Sequence, residues 1–531
     1  MDLFFNQLKK PTSLSKVLSI DLTENANFIA VLQKGIINNS SLQSLFESQA
    51  KTQLEKFVDN KLASLGVDNG TRFNMLVTSY LQFVALVDPW STWNNVDLIF
   101  DYYTNLTNLV VSLTSSSSVP YETSLCILYQ KMTIYVIQLS KKIDSVNATE
   151  HTQKYLFTTQ VSVLLSKYFQ TIKPLVIRGS NPQIDSIYGD DEGMSNNRTT
   201  PSVSSKFKLL LWVVNRLNNL YFYIKSPKSS YTIFNNMSHK IDSRALKNLN
   251  QEVKTIFNMI DVLEYRFLLG RAYMVQNKIV DSYYQLNECF NGLLSMILYH
   301  QQANNSDISR KLVMCLNKTF KLLVPMGIAI GKTPFFIENG LNGNSHSNNN
   351  MNNFITSSID PKLIGLYRDL GKCVLSGNMQ DFSQWIAQNK TFLISQNLYL
   401  VLIEKLPLII FRNCVKKIFT IYCFQHGSYK LAYDVLEVGL QKSLKNNSFG
   451  NFGAKTETDQ ILDTMFSNGI DVENLLSTLI TYNWLKGNIF PMSKVLLTMK
   501  SANIKDIFPD INEKITHRFP LNEADGWISL V

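Results

Sequence analysis

Cations at helical spacing are the residues of this chain with the most direct chemistry to offer. Lys405, Arg412 and Lys416 follow one another at intervals of seven and four. On a helix they fall within about 20° of one line, with Lys417 off it. Such a row can hold phosphates. It can equally be a solvated face whose aliphatic stems cover the core, with Glu404 or Arg412 in an ion pair and Pro407 kinking the helix. Farther on, Lys486, Lys494 and Lys500 flank two short apolar runs at 489–492 and 494–499. Earlier, Lys225, Lys228, Lys240, Arg244, Lys247 and Lys254 crowd one stretch. A surface of that sign suits an extended acidic peptide, unless it is only a solvated helix face.

Other chemistry is poorly provided for. Gly327-Ile328-Ala329-Ile330-Gly331-Lys332-Thr333 imitates a phosphate-binding loop. The spacing is one residue short, because Met326 stands where the first glycine belongs, and Pro334 follows where a helix should donate N–H groups. Leu322-Leu323-Val324-Pro325 reads better as a helix entering a buried turn. The histidines are dispersed, with no HExxH and no nearby cysteine at ligand spacing, so neither metal nor cofactor is expected. A GxSxG elbow is absent. Asp190 and Asp191 sit in a polar linker, where no rigid element could aim them. The chain reads as non-enzymatic.

The bulk numbers describe a large helical protein. The chain has 531 residues, 45% of them hydrophobic, with 31 Phe and 23 Tyr, enough for sizeable cores with aromatic packing between helices. Only 14 prolines occur, which leaves room for long helices. The net charge is +10. Most of the excess lies between Lys206 and Lys321, and a basic surface favours polyanions or an acidic partner. The six cysteines lie among apolar residues without a CxxC pair and read as buried free thiols of a reducing compartment. The start of the chain lacks the basic and apolar regions of a signal peptide. The best candidate for a membrane span, residues 392–411, is broken by Glu404, Lys405 and Pro407, so a buried helix pair is expected there and no membrane insertion.

Apolar spacing then defines the elements. Phe73, Leu76, Val77, Tyr80, Phe83, Val84 and Val87 recur at three and four, Asp88-Pro89 interrupts, and Asp97-Leu98-Ile99-Phe100-Asp101-Tyr102-Tyr103 resumes. Residues 209–224, 264–274 and 280–298 read the same way. Residues 264–298 and 366–393 have the form of helix-turn-helix repeats, with Gly270 and Gly371 admitting a close second helix. Polar breaks at 115–118, 178–205, 339–353 and 446–458 lack the apolar content to order themselves and read as disordered loops between helices. In the last third, helices at 398–424, 429–444 and 471–485 precede a turn at Lys486-Gly487-Asn488 and the two short strands, which is the order of a winged helix. The fold class is therefore all-α: a helical-repeat solenoid followed by a winged helix with a small β wing. The expected divisions are an N-terminal helical region at 1–225, repeats at 226–397, the winged helix at 398–500 and a tail at 501–531. The third helix of the winged helix holds no Lys or Arg, so any nucleic-acid contact should be phosphate-directed, independent of sequence and weak without a partner's surface.

Four stretches carry a family resemblance. They are Thr71-Arg72-Phe73 with Val87-Asp88-Pro89-Trp90-Ser91-Thr92-Trp93 and Asp97-Leu98-Ile99-Phe100; Val213 to Tyr223, reading VVNRLNNLYFY; Tyr265-Arg266-Phe267-Leu268-Leu269-Gly270-Arg271; and Glu404-Lys405-Leu406-Pro407 with Phe411-Arg412-Asn413. In these the chain resembles the PCI-domain proteins. Within them it is similar to the fungal subunit of the nuclear-pore-associated transcription-and-export (TREX-two) complex, and less closely to a signalosome-associated paralogue. The resemblance implies a hetero-oligomeric scaffold in the nucleus, at the nuclear pore. It implies pairing with a large PCI-containing mRNA-export scaffold subunit and with a small acidic peptide subunit of the proteasome-lid type. The two winged helices would then offer a joint surface to RNA and DNA. The alternative is a subunit of a COP9 signalosome-like complex with no nucleic-acid role.

Overall fold

The computed structural model of the protein describes residues 2–39, 46, 51–66, 70–88, 95–113, 119–147, 154–172, 205–241, 256–303, 306–334, 355, 357–444 and 471–528. The polar breaks expected at 115–118, 178–205, 339–353 and 446–458 lie outside these residues except for Ser205, which opens helix Ser205–Lys208; Trp90, Trp93, Arg244, Lys247 and Lys254 lie outside them too. The chain divides into two compact units, Met1–Tyr265 with Ala524–Val531, and Arg266–Glu523.

In the first unit, helix packs on helix in chain order. Thr71–Leu86 lies against Val96–Ser112, then come Val119–Asn147, Leu156–Thr171, Leu210–Tyr223 and Pro227–Lys240. The stripe read from spacing is the one that is buried: Phe73, Leu76, Val77, Tyr80, Phe83, Val84 and Val87 all face inward. Aromatic rings fill the space between helices. Tyr103 stacks on Tyr129 at 5.9 Å between centroids, and Tyr129 on Tyr168 at 5.3 Å. Tyr103 shares a hydrogen bond with Thr133 Oγ1 at 2.9 Å, and burial pushes its ionisation up to about 12.

The polar letters of VVNRLNNLYFY also have partners. Asn215 Nδ2 donates to the Asp261 carbonyl at 2.7 Å, Asn218 Oδ1 accepts from Ser230 Oγ at 2.8 Å, and Asn219 Nδ2 donates to Glu264 Oε1 at 2.8 Å. Arg216 forms an ion pair with Glu264. Burial, with the Glu264 charge adding to it, pushes the Asp261 carboxyl up to about 6 against the pull of Arg216.

The second unit stacks helix pairs. Helix Ile279–Gln302 packs on Ser306–Ala329, and Phe290, Phe320 and Tyr367 form an aromatic chain at 6.2 and 6.1 Å. Gly270, on helix Met259–Val275, admits the close approach of Ile279–Gln302. A Cβ there would stand 2.8 Å from Leu286 Cγ, and Ser282 Oγ donates to the Gly270 carbonyl at 2.7 Å. Asp307–Ala329 is long and apolar enough to cross a membrane by composition, yet 67% of its apolar window is buried by the protein itself, as in a core helix. The imitation phosphate loop is the end of this helix. Residues up to Ala329 are helical and Gly331 takes φ 85°, with Ile511 packed where a side chain would be. Pro361–Ser376 and Met379–Gln388 form the next pair, joined at Gly377 with φ 70°.

The winged helix follows. Helix Tyr399–Tyr422 runs on through Pro407. Then come β1 (Lys430–Ala432), helix Tyr433–Leu444, helix Val472–Thr481, β2 (Gly487–Phe490) and β3 (Val495–Thr498). The sheet is antiparallel in the order β1-β3-β2, and buried Leu431 on β1 and Ile489 on β2 both face Leu496.

Four details differ from the sequence expectation. The helix expected from 429 begins at Tyr433, because Lys430-Leu431-Ala432 buries only its middle residue and pairs with β3. The strand expected to reach Met492 stops at Phe490, since Pro491 has no N–H for the ladder and opens a 3-10 turn. Residues 501–531, expected as a tail, are folded through 528. Helices Ile504–Ile507 and Ile511–Arg518 are capped by Asn503 and Asp510, and Ile507, Phe508 and Ile511 are buried. All six cysteines are free, but Cys315 is exposed and Cys373 only partly covered, against the expectation that all are buried.

Gly270→Ala will force the Leu286 contact apart. The overpacking cost exceeds the gain in helix propensity, for a net loss of about 1–2 kcal/mol, read as a lower urea midpoint. Asp261 gives a pH test. Its folded ionisation lies above the unfolded value, so its contribution is full at low pH and is lost as pH rises through about 6. Asp261→Asn is therefore expected to raise Tm at pH 7.5, with the advantage shrinking as pH falls to 5.

Candidate nucleic-acid interface

The helix Tyr399–Tyr422 does not present its cations as one row. Lys405 pairs with its neighbour Glu404 at 2.7 Å. Glu404 in turn accepts from Asn277 Nδ2 at 3.0 and 3.2 Å, and these bonds hold its carboxyl below the usual range. Lys417 donates to the Ser376 carbonyl at 2.8 Å, at the end of helix Pro361–Ser376, where a cation suits the helix dipole.

Arg412 does not reach the surface. Only 5% of it is accessible. Its Nη2 donates to the carbonyls of Phe508 at 3.1 Å and Pro509 at 2.7 Å, and its Nη1 to Asn413 Oδ1 at 3.1 Å. The guanidinium lies over the Phe508 ring at 5.5 Å. Burial lowers its ionisation to about 10, with Asp510 opposing, so it stays charged at neutral pH. The apolar character of its helix explains this: at Arg412 the face turns inward, and the side chain finds carbonyls rather than water. It is a structural tie and not a phosphate contact.

Lys416 is one turn further along and partly buried. Burial, and then the charges of Arg412 and Lys505, lower its ionisation, with Asp510 opposing. It lines a cavity of about 590 Å³ with Arg412, Lys486, Lys505, Lys332 and Lys514. Lys405 belongs to a separate cavity of about 820 Å³ beside Tyr482, Trp484 and Arg518. Of the expected residues, the structure thus brings together Arg412, Lys416 and Lys486, and sets Lys405 and Lys417 apart. Sequence reading missed Lys505 and Lys514, and set Lys332 aside together with the imitation phosphate loop. The caps Asn503 and Asp510 were the signal available for Lys505 and Lys514, since each marks a helix start within the supposed tail.

The wing cations are freer. Lys486, Lys494 and Lys500 are exposed and have no ion pair among the described residues. Lys494 takes φ 48° at the end of the Pro491–Ser493 turn, next to fully exposed Met492. Helix Val472–Thr481 carries Asp471 as its cap and no cation.

In the first unit, Lys225 (φ 63°) and Lys228 are exposed at the start of helix Pro227–Lys240. Lys240 is committed elsewhere: its Nζ donates to the carbonyls of Gln170 and Ile172 at the end of helix Leu156–Thr171, and lies over the Phe169 ring at 5.1 Å.

Comparison with known proteins bears on this arrangement. No protein-family model matches the chain. It is 31% identical over 514 residues to the nuclear mRNA export protein THP1 of Saccharomyces cerevisiae, covering 96% of both chains. The chain belongs to the THP1 family of PCI-domain proteins. Two more distant relatives agree on the domain. A PCI domain-containing protein 2 homologue of Dictyostelium discoideum is 24% identical over 58% of this chain and 55% of its own. Subunit 12 of the COP9 signalosome complex of Kluyveromyces lactis is 27% identical over 27% of this chain and 31% of its own. The PCI resemblance read from the motifs is therefore the family shown, and in this chain helical repeats lead into a winged helix.

Replacing Arg412 by Met keeps the volume and strands the Phe508 and Pro509 carbonyls. Arg412→Met is expected to cost about 2–4 kcal/mol in urea unfolding. Lys494→Ala, at an exposed position, is expected to change stability by less than about 0.5 kcal/mol in the same measurement.

Proposed function

We propose that this chain is a non-enzymatic scaffold subunit of a nuclear-pore-associated mRNA export complex. Its winged helix pairs with that of a larger PCI subunit, and the joint surface binds RNA and DNA without sequence preference. A small acidic subunit lies along the basic face near Lys225 and Lys228. The observation that carries the reading is the end-to-end match to a nuclear mRNA export protein, 96% of each chain, against a signalosome subunit matched over 27% of this one. The signalosome reading is the weaker for that reason.

Support for nucleic-acid binding comes from charge placement. Exposed Lys486, Lys494 and Lys500 surround a wing whose neighbouring helix has no cation. That pattern suits backbone phosphates and not base edges. It also leaves one chain with few contacts, so a partner's surface must supply the remainder.

The test is fluorescence anisotropy of a labelled single-stranded RNA with the purified hetero-oligomer across a salt series. Log affinity should fall linearly with log salt. Lys494→Glu with Lys500→Glu should reduce the slope by about 1–1.5, as expected for two lost phosphate contacts on a single strand. An unchanged slope would remove the wing from the interface. Co-purification of a signalosome in place of a large export scaffold would overturn the whole assignment.

A further inference from the structure

We propose that the cavity lined by Lys416, Lys486 and Lys505 binds a compact polyphosphate, a small molecule bearing several phosphate groups, and does not form part of the bed for a nucleic-acid strand. The proposal goes beyond the wing reading and shares only Lys486 with it.

Shape is the first argument. A cavity of about 590 Å³ lies within the range of small-ligand pockets. Its inner wall is buried: Ile409, Arg412, Phe508, Pro509 and Ile511. Its cations come from separate elements, Lys416 from helix Tyr399–Tyr422, Lys486 from the entry to β2, and Lys505 from helix Ile504–Ile507. Convergence of lysines from elements far apart in the chain encloses a compact anion. An extended strand calls for a continuous groove.

The second argument is that cations outnumber carboxylates at the cavity: Lys332, Arg412, Lys416, Lys486, Lys505 and Lys514 against Asp506, Asp510 and Glu513. Asp506 accepts from Ser501 Oγ at 2.6 Å. Asp510 accepts from the Asn512 N–H at 3.2 Å as a helix cap. Glu513 stands 4.0 Å from Lys514. Lys416, Lys486 and Lys505 have no ion pair among the described residues. Lys416 is partly buried beside Arg412 and Lys505, and its ammonium is lowered by burial and by those two charges against the pull of Asp510. Like charges gathered in a partly desolvated site repel one another, and a multivalent anion relieves that repulsion. Bound there, it would join the segment 505–514 to the winged helix.

Calorimetric titration of the purified hetero-oligomer with inositol hexakisphosphate, ATP and tripolyphosphate tests this, with vesicles carrying a polyphosphoinositide as a fourth arm. At least one of these is expected to bind saturably at physiological salt and to raise Tm. The ranking identifies the source, whether free sugar phosphate, nucleotide, inorganic chain or lipid headgroup. Lys416→Gln with Lys505→Gln should weaken that binding by about tenfold or more, since each lost charge-assisted bond carries a large share of the affinity. Lys416→Arg should retain it, which separates lost charge from lost fold. The proposal is overturned if no arm binds saturably, or if the double variant binds as tightly as the parent. It is also overturned if that variant weakens only an oligoribonucleotide, which would assign the cavity to the strand. The wing variants are scored separately by the salt slope, so either reading can fail alone.

Discussion

Arg412 brings a charged group to a place where only 5% of it meets water. A buried charge is tolerated when most of its hydrogen bonds are made; here Nη1 and Nη2 reach two carbonyls of a turn and one amide side chain, while Nε has no partner among the described residues. The turn is Phe508-Pro509, and proline cannot offer an N–H of its own. Its carbonyl therefore faces a cation while Phe508 packs on Phe419 at 5.7 Å. Through Asn413, whose amide reaches the Val374 carbonyl at 2.9 Å, the same point is fixed to helix Pro361–Ser376. Repeat helix, long helix and C-terminal segment meet at this one side chain, and the polyphosphate cavity is the space left around it.

Helix periodicity was the most legible feature of the sequence. Stripes such as Phe73 to Val87 are buried as their spacing requires. A period of three and four residues repeated over several turns has few competing explanations. Glycine at 270 was legible for a similar reason: a small residue amid large apolar ones marks a close approach. The winged helix was legible from its order of elements, though not β1, whose single buried Leu431 is too short a signal to show a period of two.

The site was harder to read, and the reason is geometric. Spacing along a helix says which residues share a face but not which way the face points. Lys405, Arg412 and Lys416 do follow one another at helical intervals, yet one is paired, one is buried and one lines a cavity. The decisive information sits about a hundred residues later, in the carbonyls of 508 and 509. Those are backbone atoms, which no side-chain pattern announces. Lys505 was overlooked for the same cause, because a segment with few apolar residues reads as a tail until its caps, Asn503 and Asp510, are noticed.

That separation in the chain also sets an order of events during synthesis. Phe508 lies 96 residues after Arg412. At ordinary rates of translation the ribosome needs about 5–20 s to cover that distance. Until then the guanidinium has no carbonyls to satisfy it and stays hydrated, which holds its stretch of the long helix away from a dry core. The Arg412 end of the winged helix thus lacks its two carbonyl partners until the last segment arrives. A nascent chain of this protein spends that interval as a repeat array with an unfinished end, the state in which a chaperone or an assembly partner would meet it.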